Sequence, residues 1–254
     1  MSLILKAFLL TLPSMVRLFF ILCCFLLIQV DSHASSGKKK KILVFTKTRG
    51  FYHTSIVAGV RAIQQMGIEK QIEVDTTSDA RFFNFPSLKQ YAAVVFLSTT
   101  GDVLNNEQQN AFERYIKRGG GFVGIHAAAD TEYDWPWYNE LVGAYFLSHP
   151  QQQDAVLQVR DSAHLSTCHL SSTWKKRDEW YNYKNIQPHI KVLLSLDESS
   201  YSGGTHGSFH PIAWYHDTKG GRAFYTGLGH TDASYTDPLF LQHLWGGILY
   251  AMKQ

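Results

Sequence analysis

Past residue 40 the chain alternates short unbroken apolar runs with stretches of helical periodicity. Residues 41–46 hold Ile42, Leu43, Val44 and Phe45 in succession, which predicts a strand buried on both faces. From Thr54 to Met66 the apolar positions Ile56, Val57, Val60, Ile63 and Met66 share one helical face, and Gly67 is expected to end that helix. Strands are expected at 73–77 and 92–97. Asn105, with Gln108 three residues later, reads as a capping box opening a helix that runs to Arg118 and turns Ala111, Phe112, Tyr115 and Ile116 inward. Gly119, Gly120 and Gly121 stop it, and 122–125 is the next strand. This alternation predicts an α/β fold with a mostly parallel central sheet and right-handed crossovers.

The second half is expected to form an irregular C-terminal extension. Strands are predicted at 155–159, 192–196, 212–215 and 223–226, the last two as an antiparallel pair. Asp237-Pro238 is an N-cap followed by proline at the first helical position, and Leu241, Leu244, Trp245, Ile248 and Leu249 turn inward along the closing helix. No repeat or linker divides residues 41–254, so they are expected to form one domain.

Residues 1–34 read as a targeting segment. Residues 18–30 are apolar apart from Gln29, with Lys6 and Arg17 before them and Ser32 and Ala34 at the −3 and −1 positions of a cleavage site. A secretory signal peptide is expected, with Met15 as an alternative start. An uncleaved signal anchor is the alternative, because 3–12 is also apolar. After cleavage no stable membrane span is expected, and 35–40 is left as a basic leader. Two of the three cysteines, Cys23 and Cys24, fall in this segment, so Cys168 alone remains and no intramolecular disulfide can form. At 45% hydrophobic and 18% charged, the chain can bury a sizeable core. A net charge of +3 gives no electrostatic footprint for nucleic acid.

In open parallel sheets ligands bind beyond the carboxyl ends of the strands. The loops Thr46–His53, Ser98–Asp102 and His126–Asp130 should therefore meet at one edge. His126 directly follows Gly124-Ile125 at a strand-to-helix turn that presents one side chain above the sheet. Imidazole there can serve as acid, base or metal ligand. Further polar groups stand at His149-Pro150, Asp178-Glu179-Trp180-Tyr181, His210-Pro211 and Gly229-His230. Carboxylates beside histidines suit general acid–base work or the binding of a divalent metal such as zinc. No HExxH-like spacing is present, so such a metal site would draw on distant loops.

Together these stretches resemble the ThuA-like (trehalose utilisation) family of the class I glutamine amidotransferase-like superfamily. The matching segments are 47–53 (KTRGFYH), 120–128 (GGFVGIHAA), 178–181 (DEWY), 210–214 (HPIAW) and 221–230 (GRAFYTGLGH). The resemblance implies a flavodoxin-like three-layer sandwich. Glutamine amidotransferases present Gly-x-Cys-x-Gly at the elbow, whereas this chain reads Gly124-Ile125-His126-Ala127-Ala128. Imidazole does not replace a thiolate nucleophile, so glutamine hydrolysis is not expected.

What the family implies instead is a small-molecule carbohydrate partner, a disaccharide or keto-sugar of the trehalose type, altered by hydrolysis, elimination or isomerisation. His126 and Glu179 would form the catalytic acid–base pair. His53, Asp130, Trp180, Tyr181, His210, Trp214 and His230 would contact substrate, with the aromatic rings stacking on sugar. Any metal would draw on His53, His126, His149, His210 and His230. A non-catalytic carbohydrate-binding or interaction protein on the same fold is the alternative, and a structural surface domain without a deep polar cleft is a third reading. Convergence of His126 and Glu179 on one cleft favours the enzyme.

Overall fold

Four apolar runs become the centre of a nine-stranded sheet in the computed structural model, which describes residues 40–254. The expected signal segment, the alternative start at Met15 and the leader through 39 lie outside the described residues. Among the described residues no helix is long and apolar enough to cross a membrane.

The first half runs β1 (Lys41–Phe45), α1 (Ile56–Glu69), β2 (Glu73–Thr77), the short α2 (Phe85–Leu88), β3 (Ala93–Leu97), α3 (Asn106–Lys117), β4 (Gly121–Ile125) and α4 (Pro136–Val142). The second half runs β5 (Tyr145–Ser148), β6 (Gln153–Val159), β7 (Thr173–Asp178), β8 (Asn182–Lys184), β9 (Lys191–Asp197), β10 (His210–Asp217), β11 (Arg222–Thr226) and α5 (Pro238–Ala251). The sheet order is β2-β1-β3-β4-β11-β10-β9-β6-β7. It is parallel from β2 to β11 and antiparallel from β11 to β7. β5 and β8 form a separate antiparallel pair. β11 is the seam: it pairs antiparallel with β10, as expected, and parallel with β4, which the sequence pattern did not reveal.

Helices cover both faces of the parallel half. On one face Phe45, Phe83, Phe96, Phe112, Phe122 and Tyr138 form a single aromatic stack under α3 and α4. On the other, Gly59 of α1 packs against Leu97 and Tyr235, and Gly247 of α5 packs against Phe224. The capping box forms as expected: Asn105 accepts from Gln108 N, and Gln108 accepts from Asn105 N, both at 3.0 Å. Such a cap stabilises a helix by about 1 kcal/mol.

Gly67 does not end α1. The helix continues to Glu69, and a Cβ at Gly67 would strike the Val74 side chain, so this glycine sets how closely α1 lies on β2. The left-handed residue after the helix is Gln71, at φ 59°. Val57, expected inward, is 48% exposed.

Two predictions test this packing. A Cβ at Gly246 would press into the main chain of Leu165 and Ser166, which cannot move like a side-chain tip. Gly246→Ala should therefore lower stability by about 1–3 kcal/mol in denaturant titration. His243 is fully buried, with Nδ1 2.9 Å from Ser166 O and Nε2 3.1 Å from Thr226 Oγ1. Nδ1–H thus donates to the carbonyl, and Nε2 accepts from the hydroxyl. Burial lowers its pKa from 6.5 to about 3. The fold favours the neutral ring, so this contribution is complete above the unfolded pKa of 6.5 and is lost as pH falls towards 3. Stability should decline from pH 7 to pH 4, and the slope should be shallower in His243→Leu than in the parent chain.

Candidate functional site

The loops expected to meet at the carboxyl edge are hydrogen-bonded to one another. Arg49 N donates to Thr100 O at 2.7 Å, and Gly101 N donates to Asp130 O at 2.8 Å. The loop after β11 joins them because β11 lies beside β4.

His126 stands at the tip of β4 with φ at 50°, a left-handed conformation rare for a residue with a Cβ. Main-chain bonds hold it there. Its carbonyl accepts from Tyr225 Oη at 2.8 Å, and Ile125 O accepts from Ser98 N at 3.1 Å. The imidazole is wholly buried, and Nδ1 lies 2.9 Å from Gly227 O. A carbonyl only accepts, so Nδ1 carries a proton, and Nε2 is the nitrogen left to face the other groups. Nε2 points to His230 Nδ1 at 3.0 Å and to Glu179 Oε2 at 3.4 Å. His230 Nδ1 is itself 3.1 Å from Glu179 Oε2.

His53 completes the group from the loop after β1. Its ring centroid is 4.9 Å from that of His126 and 5.1 Å from that of His230. One atom from each of His53, His126, Glu179 and His230 lies within 4.8 Å of the others. Nδ1 of His53 is buried without a hydrogen-bond partner. Burial, then repulsion from His126 and His230, lowers the His53 pKa from 6.5 to about 3, which keeps this ring neutral. Burial alone would raise the Glu179 pKa, but hydrogen bonds and attraction from His126 and His230 hold it well below the usual carboxylate range.

Three imidazoles and one carboxylate form a donor set suited to a divalent ion of the zinc type. Tetrahedral bonds of about 2.0–2.2 Å would set the donors roughly 3.3–3.6 Å apart. The separations of 3.0, 3.1 and 3.4 Å among His126, His230 and Glu179 are near that spacing. With the unpartnered His53 nitrogen, the residues fit a metal.

Asp178, which the sequence places in the DEWY motif without a site role of its own, organises the group. It is fully buried and accepts from Glu179 N, Gly229 N, His230 N and Ser234 Oγ at 2.9–3.1 Å. One carboxylate thereby ties the end of β7 to the loop after β11. The adjacent acids Asp178 and Glu179 were a signal, because a buried carboxylate needs several donors.

The other expected site residues divide. Tyr181 lies against His126, with ring centroids 4.3 Å apart. His149 Nδ1 is 3.2 Å from Glu179 Oε1, so this histidine flanks the group from its exposed side. Asp130 is half-buried and accepts from Tyr133 Oη at 2.6 Å; burial raises its pKa, an effect that the tyrosine partly offsets.

Three expectations are corrected. His210 uses both nitrogens away from the group, Nδ1 towards Glu198 and Tyr201 and Nε2 towards Tyr181 O at 2.8 Å. It positions the Tyr181 backbone and has no lone pair left for a metal. Trp180 is fully buried and donates to Gln153 O. Trp214 is equally buried, donates to Val142 O and stacks on Tyr225. Neither tryptophan can present a face to sugar. Phe51, at 67% exposure, has its ring centroid 4.8 Å from that of His53, and Tyr52, at 53% exposure, is on the same loop.

In structure the chain is similar to a thua-like protein from Bacteroides uniformis ATCC 8492, at 24% identity and TM-score 0.73, covering 84% of this chain and 92% of that one. A thua-like protein from Parabacteroides merdae ATCC 43184 follows at 23% identity and TM-score 0.69, covering 85% and 91%. A beta-galactosidase from Bacillus circulans sp. alkalophilus aligns at 13% identity and TM-score 0.56, covering 83% of this chain and 31% of that one. At these identities the likeness shows a shared fold. No curated protein sequence matches. The family profile named ThuA, trehalose utilisation, matches residues 41–251, and the chain belongs to that family.

Proposed function

We propose that the chain is a secreted enzyme that acts on a disaccharide or keto-sugar of the trehalose type at a divalent metal centre. The convergence of His53, His126, Glu179 and His230 within 4.8 Å carries this reading. The family, named for trehalose utilisation, supports the substrate class, and the apolar run at 18–30 supports secretion. When bound, such an ion polarises a carbonyl or hydroxyl oxygen.

The chain's own residues divide the remaining work. His126 and Glu179 serve as ligands rather than as the acid–base pair, since their lone pairs face the shared centre. Proton transfer falls to the groups beside them. The Nδ1 of His149 is turned to Glu179 Oε1 and Pro150 O, which leaves Nε2 for a substrate hydroxyl. Asp130 binds Tyr133 through Oδ1 and keeps Oδ2 to take a proton. Phe51 and Tyr52 offer exposed faces for a sugar ring. The non-catalytic alternative differs in outcome, since it predicts saturable sugar binding without product at any metal loading.

Metal analysis of the purified chain should find about one divalent ion per molecule. His53→Ala and His126→Ala should each lose it while circular dichroism still reports a folded chain. Chelation should abolish turnover of trehalose-type disaccharides or their keto derivatives. A metal-free chain that turns over substrate at the full rate sinks the metal reading. Asp178→Asn should weaken metal affinity roughly 10- to 100-fold, because Asp178 orients two of the four donors.

A further inference from the structure

A cleft lined by His149, Pro150, Gln151, Gln152, Arg177 and Glu179 opens onto the metal-type group, and Glu179 belongs to both. Arg177 is the one full positive charge in that lining. It is the penultimate residue of β7, exposed between the buried Lys176 and Asp178. One of its guanidinium nitrogens, Nη2, donates to Gln152 O at 3.0 Å, which pins the side chain across the cleft. It has no ion-pair partner among the described residues. By contrast, buried Lys176 on the same strand is matched to Asp237 at 3.2 Å. A pinned guanidinium still has free N–H groups, and their planar fork suits a carboxylate or phosphate. His149 adds a second donor or acceptor on the same wall.

We infer that the cleft is a subsite for an anionic group of the substrate, the carboxylate of a uronic acid or the phosphate of a sugar phosphate, and that Arg177 selects for it. This rests on the proposed carbohydrate reading of the adjoining centre and narrows its substrate to acidic sugars. Arg177 is a specificity residue and takes no part in bond making or breaking.

Calorimetric titration of the full chain with glucuronate, glucose 6-phosphate and glucose tests the inference, with zinc content read in the same samples. Either anionic probe should bind roughly tenfold or more tightly than glucose, the size of one charge-assisted hydrogen-bonded pair. The better of the two identifies the anion as carboxylate or phosphate. Arg177→Gln should erase the preference while leaving glucose affinity and zinc content unchanged. Equal binding of all three probes, binding of none, or a preference that survives in Arg177→Gln overturns the subsite. A zinc-loaded chain without the preference leaves the metal reading standing. An Arg177-dependent preference in a chain that takes up no zinc supports the subsite and overturns the metal reading.

Discussion

The arrangement at the carboxyl edge depends on one buried anion. Asp178 has no solvent contact and is compensated by three backbone N–H groups and the Ser234 hydroxyl. An ionised carboxylate is costly to bury without such donors. The same four bonds determine where Glu179 and His230 stand, since two of the donors are the main-chain nitrogens of those residues. β7 is the last strand of the sheet and β11 lies near its middle, so Asp178 joins elements far apart in the strand order. Lys176 reinforces that closure through its ion pair with Asp237 at the start of α5.

Much of the parallel half was legible, because its signals are local. Ile42–Phe45 and Ala93–Leu97 are unbroken apolar runs, and the Asn105–Gln108 box lies within one turn of helix. The place of His126 was also readable, since it directly follows the apolar run of β4 at a strand-to-helix turn. Gly67 misled because a glycine near a helix end resembles a terminator, whereas here it relieves a contact with Val74.

The donor group was only partly legible, and the reason is distance along the chain. His53, His126, Glu179 and His230 come from four separate segments, and no spacing rule connects them. β7 reads Thr-Trp-Lys-Lys-Arg-Asp, too charged to suggest a strand leading into a site. Trp180 and Trp214 illustrate the opposite error. Large aromatic rings suit sugar stacking and core packing equally well by composition. Only the bonds from their indole nitrogens to Gln153 O and Val142 O decide for the core.

The turn at His126 has a wider consequence. Its left-handed backbone is secured by Tyr225 Oη on its own carbonyl and by Ser98 N on the carbonyl before it, and close packing of Gly124 against Tyr225 leaves no room there for a larger residue. These restraints act on the main chain rather than on the imidazole. The turn is therefore a mount indifferent to the tool it holds: the same backbone could carry a thiol or an imidazole into the same space. What reaction such a mount serves is decided by the neighbours that the side chain meets, here two more imidazoles and a carboxylate.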